Sequence, residues 1–534
     1  MYPEAPESAP ADEAFPADAW IDGARSTGDL EEIFDHVVVG SGASGAVAAH
    51  ALVAAGRSVA IVEEGPWVRT REFGDGVYGA FKRMFRDAGA QVMEGRSYLP
   101  LLQGRCVGGS TVMNSAIAHR TPEDVLDEWA ERFGLGAALS PRALEPHFEA
   151  IERELSVRVV GDEALGENNR LFLEEAAAEG LPARRMRRYE NGCRGSGRCF
   201  TGCPHGAKQG MNVSYVPWAL ARGARLFSSC KVERVLVEGG RAAGVVAWTP
   251  GIIDRRKGHR VLLRARRGVL VAASTVQTPG LLRRTGLRGR AIGEHFQCHP
   301  GVAVAGVFDA PVDMGTGATQ GAESVSLRRS HRIKLETLAI PPELAAVRIP
   351  GIGRELMDRF EEFAHVAMWA VVVRAEAEGR VGAGWGGRDR VKLSLARADV
   401  ERARKGLALL ARMMFEAGAR ELWPGVYGVP NVLRSIDEVR WIDEAPADPR
   451  AFGFITTHLF GAARMGVDPA ASVVGPDFQT HELEGLYVVD SSVFPTNLGV
   501  NPQHSIMAMS RLAATRIAES RTGRSRPPPA HAAA

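Results

Sequence analysis

Gly40, Gly42 and Gly45 directly follow an apolar run and have the G-x-G-x-x-G spacing of a loop that binds the phosphates of a dinucleotide. In such a loop the first glycine makes a tight turn, the second lets the backbone approach the pyrophosphate, and the third lets a helix pack on the strand. The N-terminus of that helix then faces the phosphates with free N–H groups. Glu63 ends the next apolar run, where it can accept hydrogen bonds from the hydroxyls of a ribose. These residues predict a dinucleotide site.

A second glycine-rich loop spans residues 104–114, with the sequence G-R-C-V-G-G-S-T-V-M-N. Gly108 and Gly109 stand side by side in it, and Ser110 follows. Adjacent glycines let the backbone approach a flat or phosphorylated ligand closely. We therefore expect this loop to contact a bound cofactor.

Three of the six cysteines, Cys193, Cys199 and Cys203, lie within eleven residues, and Pro204 follows them. The C-x3-C-P end of this pattern is that of bacterial ferredoxin cluster loops, whereas the C-x2-C half is absent. Two interpretations stay open: an iron–sulfur cluster, or tight turns with small buried thiols or one disulfide. A cluster at these cysteines would be a centre for electron transfer.

Periodicity and capping residues indicate the elements that position these groups. Residues 34–65 predict a strand, an alanine-rich helix and a second strand, and residues 122–155 predict two helices with caps near Thr121 and Ser140. Apolar runs between residues 224 and 273 predict a hairpin or three-stranded meander. A long helix is expected over about residues 399–417, and another after Pro502. The sequence has no internal repeat.

The composition is that of a globular protein with more than one domain. The chain has 534 residues, of which 45% are hydrophobic and 24% charged, and its formal net charge is +2. This balance argues against a nucleic-acid partner, and no apolar run reaches the roughly eighteen residues of a transmembrane helix. Residues 1–32 are neither a secretory signal nor a transit peptide, so we expect a cytoplasmic location. Residues 523–534 are expected to form a disordered tail.

Further motifs extend to the C-terminus. They are V-A-A-S-T-V-Q-T-P-G-L-L at 271–282, I-G-E-H-F-Q-C-H-P at 292–300, H-L-F-G-A-A-R-M-G at 458–466, G-L-Y-V-V-D-S-S-V-F-P at 485–495 and G-V-N-P at 499–502. With the two glycine-rich loops, they resemble the glucose–methanol–choline (GMC) oxidoreductases, flavoproteins that oxidise alcohols with FAD, over nearly the whole chain. The G-V-N-P motif resembles the cholesterol oxidase and long-chain alcohol oxidase branches. The cysteine spacing is similar to that of cluster-bearing glucose dehydrogenase subunits of the same family.

The resemblance implies a bound FAD, an active-site imidazole at His458 and a partner amide at Asn501. Some family members bind FAD covalently through a histidine just before the asparagine of the second loop. Here that residue is Met113, so a non-covalent flavin is expected. The residues that the resemblance places against FAD are Gly40, Gly42, Ala43, Ser44, Gly45, Glu63, Arg105, Gly108, Gly109, Ser110, Asn114, Val232, Asp490, Asn501 and Pro502.

Oxidation of an alcohol requires that the hydroxyl proton leaves and that the carbon-bound hydrogen passes as hydride to flavin N5. An imidazole has an ordinary pKa of about 6.5, so we expect His458 to act as a base or hydrogen-bond acceptor. Asn501 would hold the substrate oxygen and, with Pro502, also cap the following helix. His299 and His504 are expected to make structural contacts.

We therefore predict an α/β fold, α+β overall. It combines a Rossmann-like FAD-binding domain, assembled from discontinuous segments, with a substrate-binding domain that has a mixed or antiparallel sheet and helices. The FAD-binding domain is expected in residues 34–120, 205–310 and 452–522, and the substrate-binding domain in residues 121–204 and 311–451. Residues 1–33 form an N-terminal extension in this interpretation.

The predicted function is FAD-dependent oxidation of a bulky or long-chain, largely apolar alcohol to an aldehyde or ketone. The substrate class depends on the branch resemblance at Asn501 and on a middle block without a polar, sugar-binding cluster. One alternative is a protein of the same fold without net oxidation, such as a lyase or decarboxylase. Another is a flavin-binding protein that has lost catalysis. The sequence leaves open which alcohol is used, whether oxygen or an external acceptor takes the electrons, and the oligomeric state.

Overall fold

The computed structural model describes residues 15–74, 76–251, 257–384 and 388–520. The expected tail 523–534 and residues 1–14 of the expected extension lie outside these ranges. The α-helices of the described ranges are α1 Ala43–Ala54, α2 Gly76–Met84, α3 Glu123–Phe133, α4 Pro141–Glu154, α5 Asp162–Leu165, α6 Glu167–Ala178, α7 Tyr215–Ala221, α8 Ser274–Thr285, α9 Pro342–Ala345, α10 Arg354–Glu361, α11 Arg397–Glu416, α12 Arg440–Glu444 and α13 Gln503–Glu519.

The strands of the same ranges are β1 Trp20–Asp22, β2 Leu30–Val39, β3 Val59–Val62, β4 Val92–Met93, β5 Leu99–Pro100, β6 Val157–Val159, β7 Arg184–Arg185, β8 Arg187–Tyr189, β9 Arg225–Ser228, β10 Lys231–Glu238, β11 Arg241–Pro250, β12 Lys257–Val271, β13 Gln297–Cys298, β14 Gly301–Val307, β15 Ala322–Ser324, β16 Ile333–Thr337, β17 Val366–Val373, β18 Arg380–Ala383, β19 Asp389–Lys392, β20 Glu421–Trp423, β21 Leu459–Phe460 and β22 Leu486–Val488.

The first sheet contains the strands that flank the G-x-G-x-x-G motif. Its order is β1-β9-β3-β2-β12-β11-β10, and β22 also pairs with β12. Five neighbouring strands of this sheet pair in parallel, in the order β1-β9-β3-β2-β12, and β22 pairs in parallel with β12. Strands β10, β11 and β12 form an antiparallel meander. These strands come from both ends and the middle of the chain. The predicted Rossmann-like layer, built from discontinuous segments, is confirmed.

The parallel strands are buried because helices cover them. Val37 and Val38 of β2 and all four residues of β3 are at most 1% exposed, as expected for strands that are covered on both faces. Helix α1 packs against α13 and α7, and α13 packs against α4. The N-terminus of α1 and that of α13 therefore belong to one packed layer of helices beside the sheet.

The second sheet is antiparallel and has the order β20-β14-β17-β16-β15-β7. Helix α11 packs across β14, β16 and β17 through buried residues such as Leu407 and Leu410. Gly406 allows this close packing, because a Cβ there would lie 2.6 Å from Cγ2 of Val371. This sheet forms the base from which β16 reaches the candidate active site.

Two segments pack with the sheet of the other predicted domain. The division into two domains remains a prediction. Strand β14 lies in segment 205–310, which we assigned to the FAD-binding domain, yet it pairs within the second sheet. Helices α3 and α4, which we assigned to the substrate-binding domain, join the core around the first sheet through Trp129 and Ile151. The apolar face of α4 meets α13, which explains this position. In the expected extension, β1 pairs with β9.

Within the described parts of the chain, none of the helices combines the length and hydropathy that a bilayer span requires.

Candidate cofactor and active site

A large cavity of about 1760 Å³ opens at the carboxyl ends of the parallel strands. Val39, Glu63, Ala272 and Asp490, which end or follow β2, β3, β12 and β22, all line it. This edge is where open α/β sheets bind their ligands. Pockets for small ligands usually measure about 300–1,000 Å³, so the cavity has room for a dinucleotide and a second molecule.

Most residues predicted to contact FAD line this cavity. Gly42, Ala43 and Ser44 stand at the N-terminus of α1, which points its free N–H groups into the cavity. Gly45 does not line the cavity. The other predicted residues that line it are Gly40, Glu63, Arg105, Gly109, Ser110, Asn114, Val232, Asp490, Asn501 and Pro502.

Two positions in the first loop require glycine. Gly40 has φ +102°, and a Cβ there would lie 2.3 Å from the carbonyl oxygen of Ala272. A Cβ on Gly45 would lie 1.9 Å from the carbonyl oxygen of Gly40. Gly45 thus acts through packing: it lets α1 sit directly on the turn that starts at Gly40.

Hydrogen bonds join the two glycine-rich loops. Gly108 does not line the cavity, and its N–H donates to Oγ of Ser41 over 3.1 Å. Ser41 in turn donates through Oγ to Oε2 of Glu63 over 2.7 Å. This chain holds the second loop against the first. Arg105 on the second loop has a buried Nε without a hydrogen-bond partner among the described residues, so it can donate to a ligand.

Glu63 and Asp490 are buried carboxylates at the cavity edge. Oε1 of Glu63 accepts one hydrogen bond, from the N–H of Gly65 over 2.8 Å, so a lone pair remains for a ribose hydroxyl. Asp490 accepts from the N–H groups of Ser274 and Ser492, which fixes the start of α8 and the turn after β22. Burial raises the pKa of both carboxyls above their ordinary values.

His458 and Asn501 meet at the cavity, although 43 residues separate them. Nδ2 of Asn501 lies 3.4 Å from Nε2 of His458. His458 directly precedes β21, which pairs with β13, and this short ladder also brings His299 beside it. The N–H of His299 donates to the carbonyl oxygen of His458 over 3.1 Å. The structure therefore brings together the two residues predicted to be catalytic.

The proton positions of the two histidines follow from their partners. The N–H of Gly499 donates to Nε2 of His299 over 2.9 Å, so neutral His299 carries its own proton on Nδ1. This Nδ1 lies 3.3 Å from Nδ1 of His458. His458 consequently accepts on Nδ1 and carries its proton on Nε2, the nitrogen that faces Asn501. Nε2 of His458 and Nδ2 of Asn501 then both carry hydrogen, and both remain available to an oxygen atom in the cavity.

Both histidines are neutral at pH 7. Burial lowers the pKa of His458 to about 3, and the nearby Lys334 ammonium contributes to this shift. Burial likewise holds the pKa of His299 well below its ordinary value. The imidazole of His458 thus has little affinity for a second proton.

Asn501 does not cap helix α13, and that prediction is wrong. The helix begins at Gln503, and no side chain caps its first turn. Oδ1 of Asn501 instead accepts a hydrogen bond from Nζ of Lys334 over 2.6 Å. Sequence reasoning missed Lys334, whose only signal is a lysine between two apolar residues in a strand that is buried throughout.

The chain matches two family models, each described as GMC oxidoreductase, over residues 34–301 and 388–510. An uncharacterized GMC-type oxidoreductase of Mycobacterium tuberculosis is 36% identical to it over 477 residues, which are 89% of this chain and 74% of the relative. The chain belongs to the GMC oxidoreductase family. The resemblance predicted from the sequence motifs is confirmed.

Other GMC oxidoreductases are more distant. A long-chain-alcohol oxidase of Arabidopsis thaliana is 27% identical over 518 residues, which cover 91% of this chain and 66% of the relative. Choline oxidase of Arthrobacter globiformis is 24% identical and covers 94% and 97% of the two chains. Among solved structures, pyridoxine 4-oxidase from Mesorbium loti has 17% identity and a TM-score of 0.67, over 90% of this chain and 98% of the other. It supports the fold.

His504 lies outside the cavity of this GMC oxidoreductase. Its side chain is completely buried, Nε2 lies 3.1 Å from Oε1 of Glu152, and the ring packs against Phe148 and Tyr189. It makes structural contacts, as the sequence analysis expects.

The three clustered cysteines of the GMC oxidoreductase line a separate small cavity of about 20 Å³. Nη2 of Arg188 lies 3.2 Å from Sγ of Cys199. Burial opposes ionisation of this thiol, but the charges of Arg188 and Lys208 outweigh it and lower the pKa. All six cysteines are free. No three His, Cys, Asp or Glu side chains of the described ranges are grouped so that they could hold a metal ion, so the geometry does not support the iron–sulfur cluster.

Proposed function

We propose that the protein oxidises an alcohol to an aldehyde or ketone with FAD. The observation that carries this proposal is the convergence of the His458 and Asn501 N–H groups on the cavity that the two glycine-rich loops also line. One end of the cavity suits a dinucleotide, and the other presents two hydrogen-bond donors to an oxygen atom. An alcohol bound there would lie inside the same enclosure as the cofactor.

FAD fits the residues that are present. The α1 N-terminus and the unpartnered Nε of Arg105 suit the pyrophosphate, and Glu63 suits a ribose. A structurally similar formate oxidase of Aspergillus oryzae, described for its FAD modification, has a TM-score of 0.68. Bound FAD supplies a hydride acceptor at N5. Met113 lines the cavity where a covalent histidine would stand, so we propose that FAD is held without a covalent bond.

His458 and Asn501 hold the alcohol oxygen through Nε2–H and Nδ2–H. Two N–H donors stabilise negative charge that develops on this oxygen, so they favour transfer of the hydroxyl proton through water to bulk solvent. They also fix the carbon atom from which hydride leaves. Because Nδ1 of His458 faces Nδ1–H of His299 and Nε2 therefore carries the proton, we assign His458 the role of hydrogen-bond donor and not that of the base or hydrogen-bond acceptor that the sequence analysis expects; its low pKa agrees with this role.

We propose a long-chain or bulky, largely apolar alcohol as the substrate. The apolar side chains that line the cavity favour this class over sugars: Phe85, Leu101, Leu102, Met113, Phe200 and Ile506. The similarity to a long-chain-alcohol oxidase of Arabidopsis thaliana supports the same choice. Either oxygen or an external acceptor would then reoxidise the flavin.

Anaerobic reduction of the FAD-bound protein tests this function. We expect 1-dodecanol or cholesterol to bleach the yellow flavin absorbance, and subsequent addition of oxygen or a dye acceptor to restore it. His458→Ala is the matched control, which we expect to retain FAD while bleaching slows by about 10²–10³-fold. A panel of primary and secondary alcohols that leaves the bound flavin oxidised would favour the alternative without net oxidation. Brown absorbance together with bound iron would support the iron–sulfur interpretation of the three clustered cysteines.

A further inference from the structure

Lys334 contacts the active-site amide from behind the cavity. It lies in β16 with a side chain that is 1% exposed. Its ammonium donates to Oδ1 of Asn501 over 2.6 Å, to Oε2 of Glu336 over 2.8 Å and to Oε2 of Glu323 over 2.9 Å. An ammonium has three N–H donors and no acceptor, so these contacts use all of them.

We infer that Lys334 is a positioning residue that fixes the amide of Asn501 with its N–H groups toward the substrate oxygen. This inference rests on the proposed function. A carboxamide can rotate by half a turn and exchange its donor and acceptor ends with little change in shape. Since Lys334 can only donate, Oδ1 must face it. Nδ2 must then face His458 and the cavity. In a rotated amide the carbonyl oxygen would face the alcohol oxygen instead, and two acceptors would meet.

The two carboxylates keep Lys334 in its charged form. Burial alone would lower the pKa of this lysine, but Glu323 and Glu336 raise it above the ordinary value. Each carboxylate has a further partner: Nε2 of His119 lies 2.7 Å from Glu323, and Gln320 donates to Glu336 over 2.7 Å. Strand β16 of the second sheet thus places the charged ammonium of Lys334, held by two carboxylates, against the active-site amide. That charge also favours an anionic substrate oxygen near Asn501.

If Lys334 had a purely structural role, its replacement would lower kcat equally with and without the Asn501 amide. A double-mutant cycle separates this role from the positioning role. The cycle compares Lys334→Met, Asn501→Ala and the double variant, with kcat for flavin reduction by 1-dodecanol as the readout. A displacement of about 1 Å in an active site can cost about 100-fold in rate, and we expect a loss of this order for Lys334→Met. In the Asn501→Ala background we expect no further loss, because the amide that Lys334 positions is absent.

A second pair of variants protects the test against misfolding. Lys334→Met leaves two buried carboxylates with one partner fewer, and such a change is strongly destabilising. Lys334→Met combined with Glu336→Gln removes one charge of each sign, and Glu336→Gln alone is its matched control. We expect the combined variant to lose kcat well beyond any loss that Glu336→Gln causes alone, with little change in KM or in FAD content. Equal losses of kcat in the presence and absence of the Asn501 amide would overturn the inference.

Crystal structures of the FAD-bound parent and the Lys334→Met/Glu336→Gln variant give a readout that needs no turnover. We expect the Asn501 side chain to leave its position beside Nε2 of His458 in the variant. An unmoved side chain would overturn the inference. If no alcohol reduces the parent flavin, the proposed function fails, yet this comparison still decides whether Lys334 positions Asn501.

Discussion

Nε2 of His458 and Nδ2 of Asn501 lie 3.4 Å apart, and each side chain is held by a different partner. His299, itself fixed by the N–H of Gly499, faces the far nitrogen of His458. Lys334 takes the oxygen of Asn501. Two independent contacts thus turn a hydrogen-bearing nitrogen toward the same point of the cavity, where the proposed function places the substrate oxygen as the acceptor.

Replacement of His458 tests whether its imidazole acts as a hydrogen-bond donor or as a base. His458→Gln retains an N–H donor on a side chain of similar reach, whereas His458→Ala does not. Loss of one such donor costs about 10²–10³-fold in kcat, and we expect this loss for alanine but a smaller one for glutamine. Stopped-flow flavin reduction measures both variants, and their flavin absorbance confirms equal FAD content. Equal losses would instead identify His458 as the proton acceptor.

Gly45→Ala tests the packing of α1 on the dinucleotide loop. The new Cβ would lie 1.9 Å from the carbonyl oxygen of Gly40, so the helix must move away from the phosphate site. We expect FAD affinity to fall at least about tenfold, as a displaced helix N-terminus no longer meets the pyrophosphate. Gly28→Ala is the control, because a Cβ there meets nothing within 4 Å. Fluorescence titration with FAD measures both variants, and unchanged affinity in Gly45→Ala would contradict the prediction.

The proposed non-covalent binding of FAD predicts how the flavin behaves on denaturation. Since Met113 has no nucleophilic nitrogen, denaturation should release the flavin. We expect acid precipitation of the yellow protein to leave FAD in the supernatant and a colourless pellet. A yellow pellet, together with a mass increase of the denatured chain equal to FAD, would show a covalent link through another residue.

Buried His36 makes stability depend on pH. Burial lowers its pKa in the folded state from 6.5 to about 4, so the unfolded chain binds more protons between these values. Stability from this residue is complete above about pH 6.5 and is lost as the pH falls toward 4. The loss amounts to about 3 kcal/mol at one pKa unit per 1.36 kcal/mol.

Urea unfolding at pH 7 and pH 4.5 measures this effect in the parent and in His36→Leu. We expect the difference between the two pH values to be smaller in the variant, since leucine binds no proton. Other buried histidines, among them His50, act in the same direction and stay in both proteins. Identical pH differences in parent and variant would rule out the contribution of His36.

Local patterns made much of the fold predictable. The strand–helix–strand unit around Gly40, the two helices that begin near Pro122 and Ser140, and the meander before Val271 all have periodicity or capping signals within short windows. The hydrogen-bonding role of Asn501 and the division of the chain into domain segments were harder to predict from the sequence. Asparagine before proline is a favoured helix start, but the competing donor is a lysine 167 residues away. No local pattern records such a contact.

The sequence by itself predicted the two glycine-rich loops, and the resemblance to the GMC family indicated His458 and Asn501 as the candidate active-site pair. The loops are recognisable because they depend on residue types at short, fixed spacing, and Gly45 shows why: only a residue without Cβ fits its position. Tertiary structure decided which atoms of that pair face the cavity. Gly499 meets His299 across 200 residues, and Lys334 of β16 meets Asn501 across 167 residues. Hydrogen bonds between distant segments set proton positions and amide orientation, and these follow only from how the sheets pack.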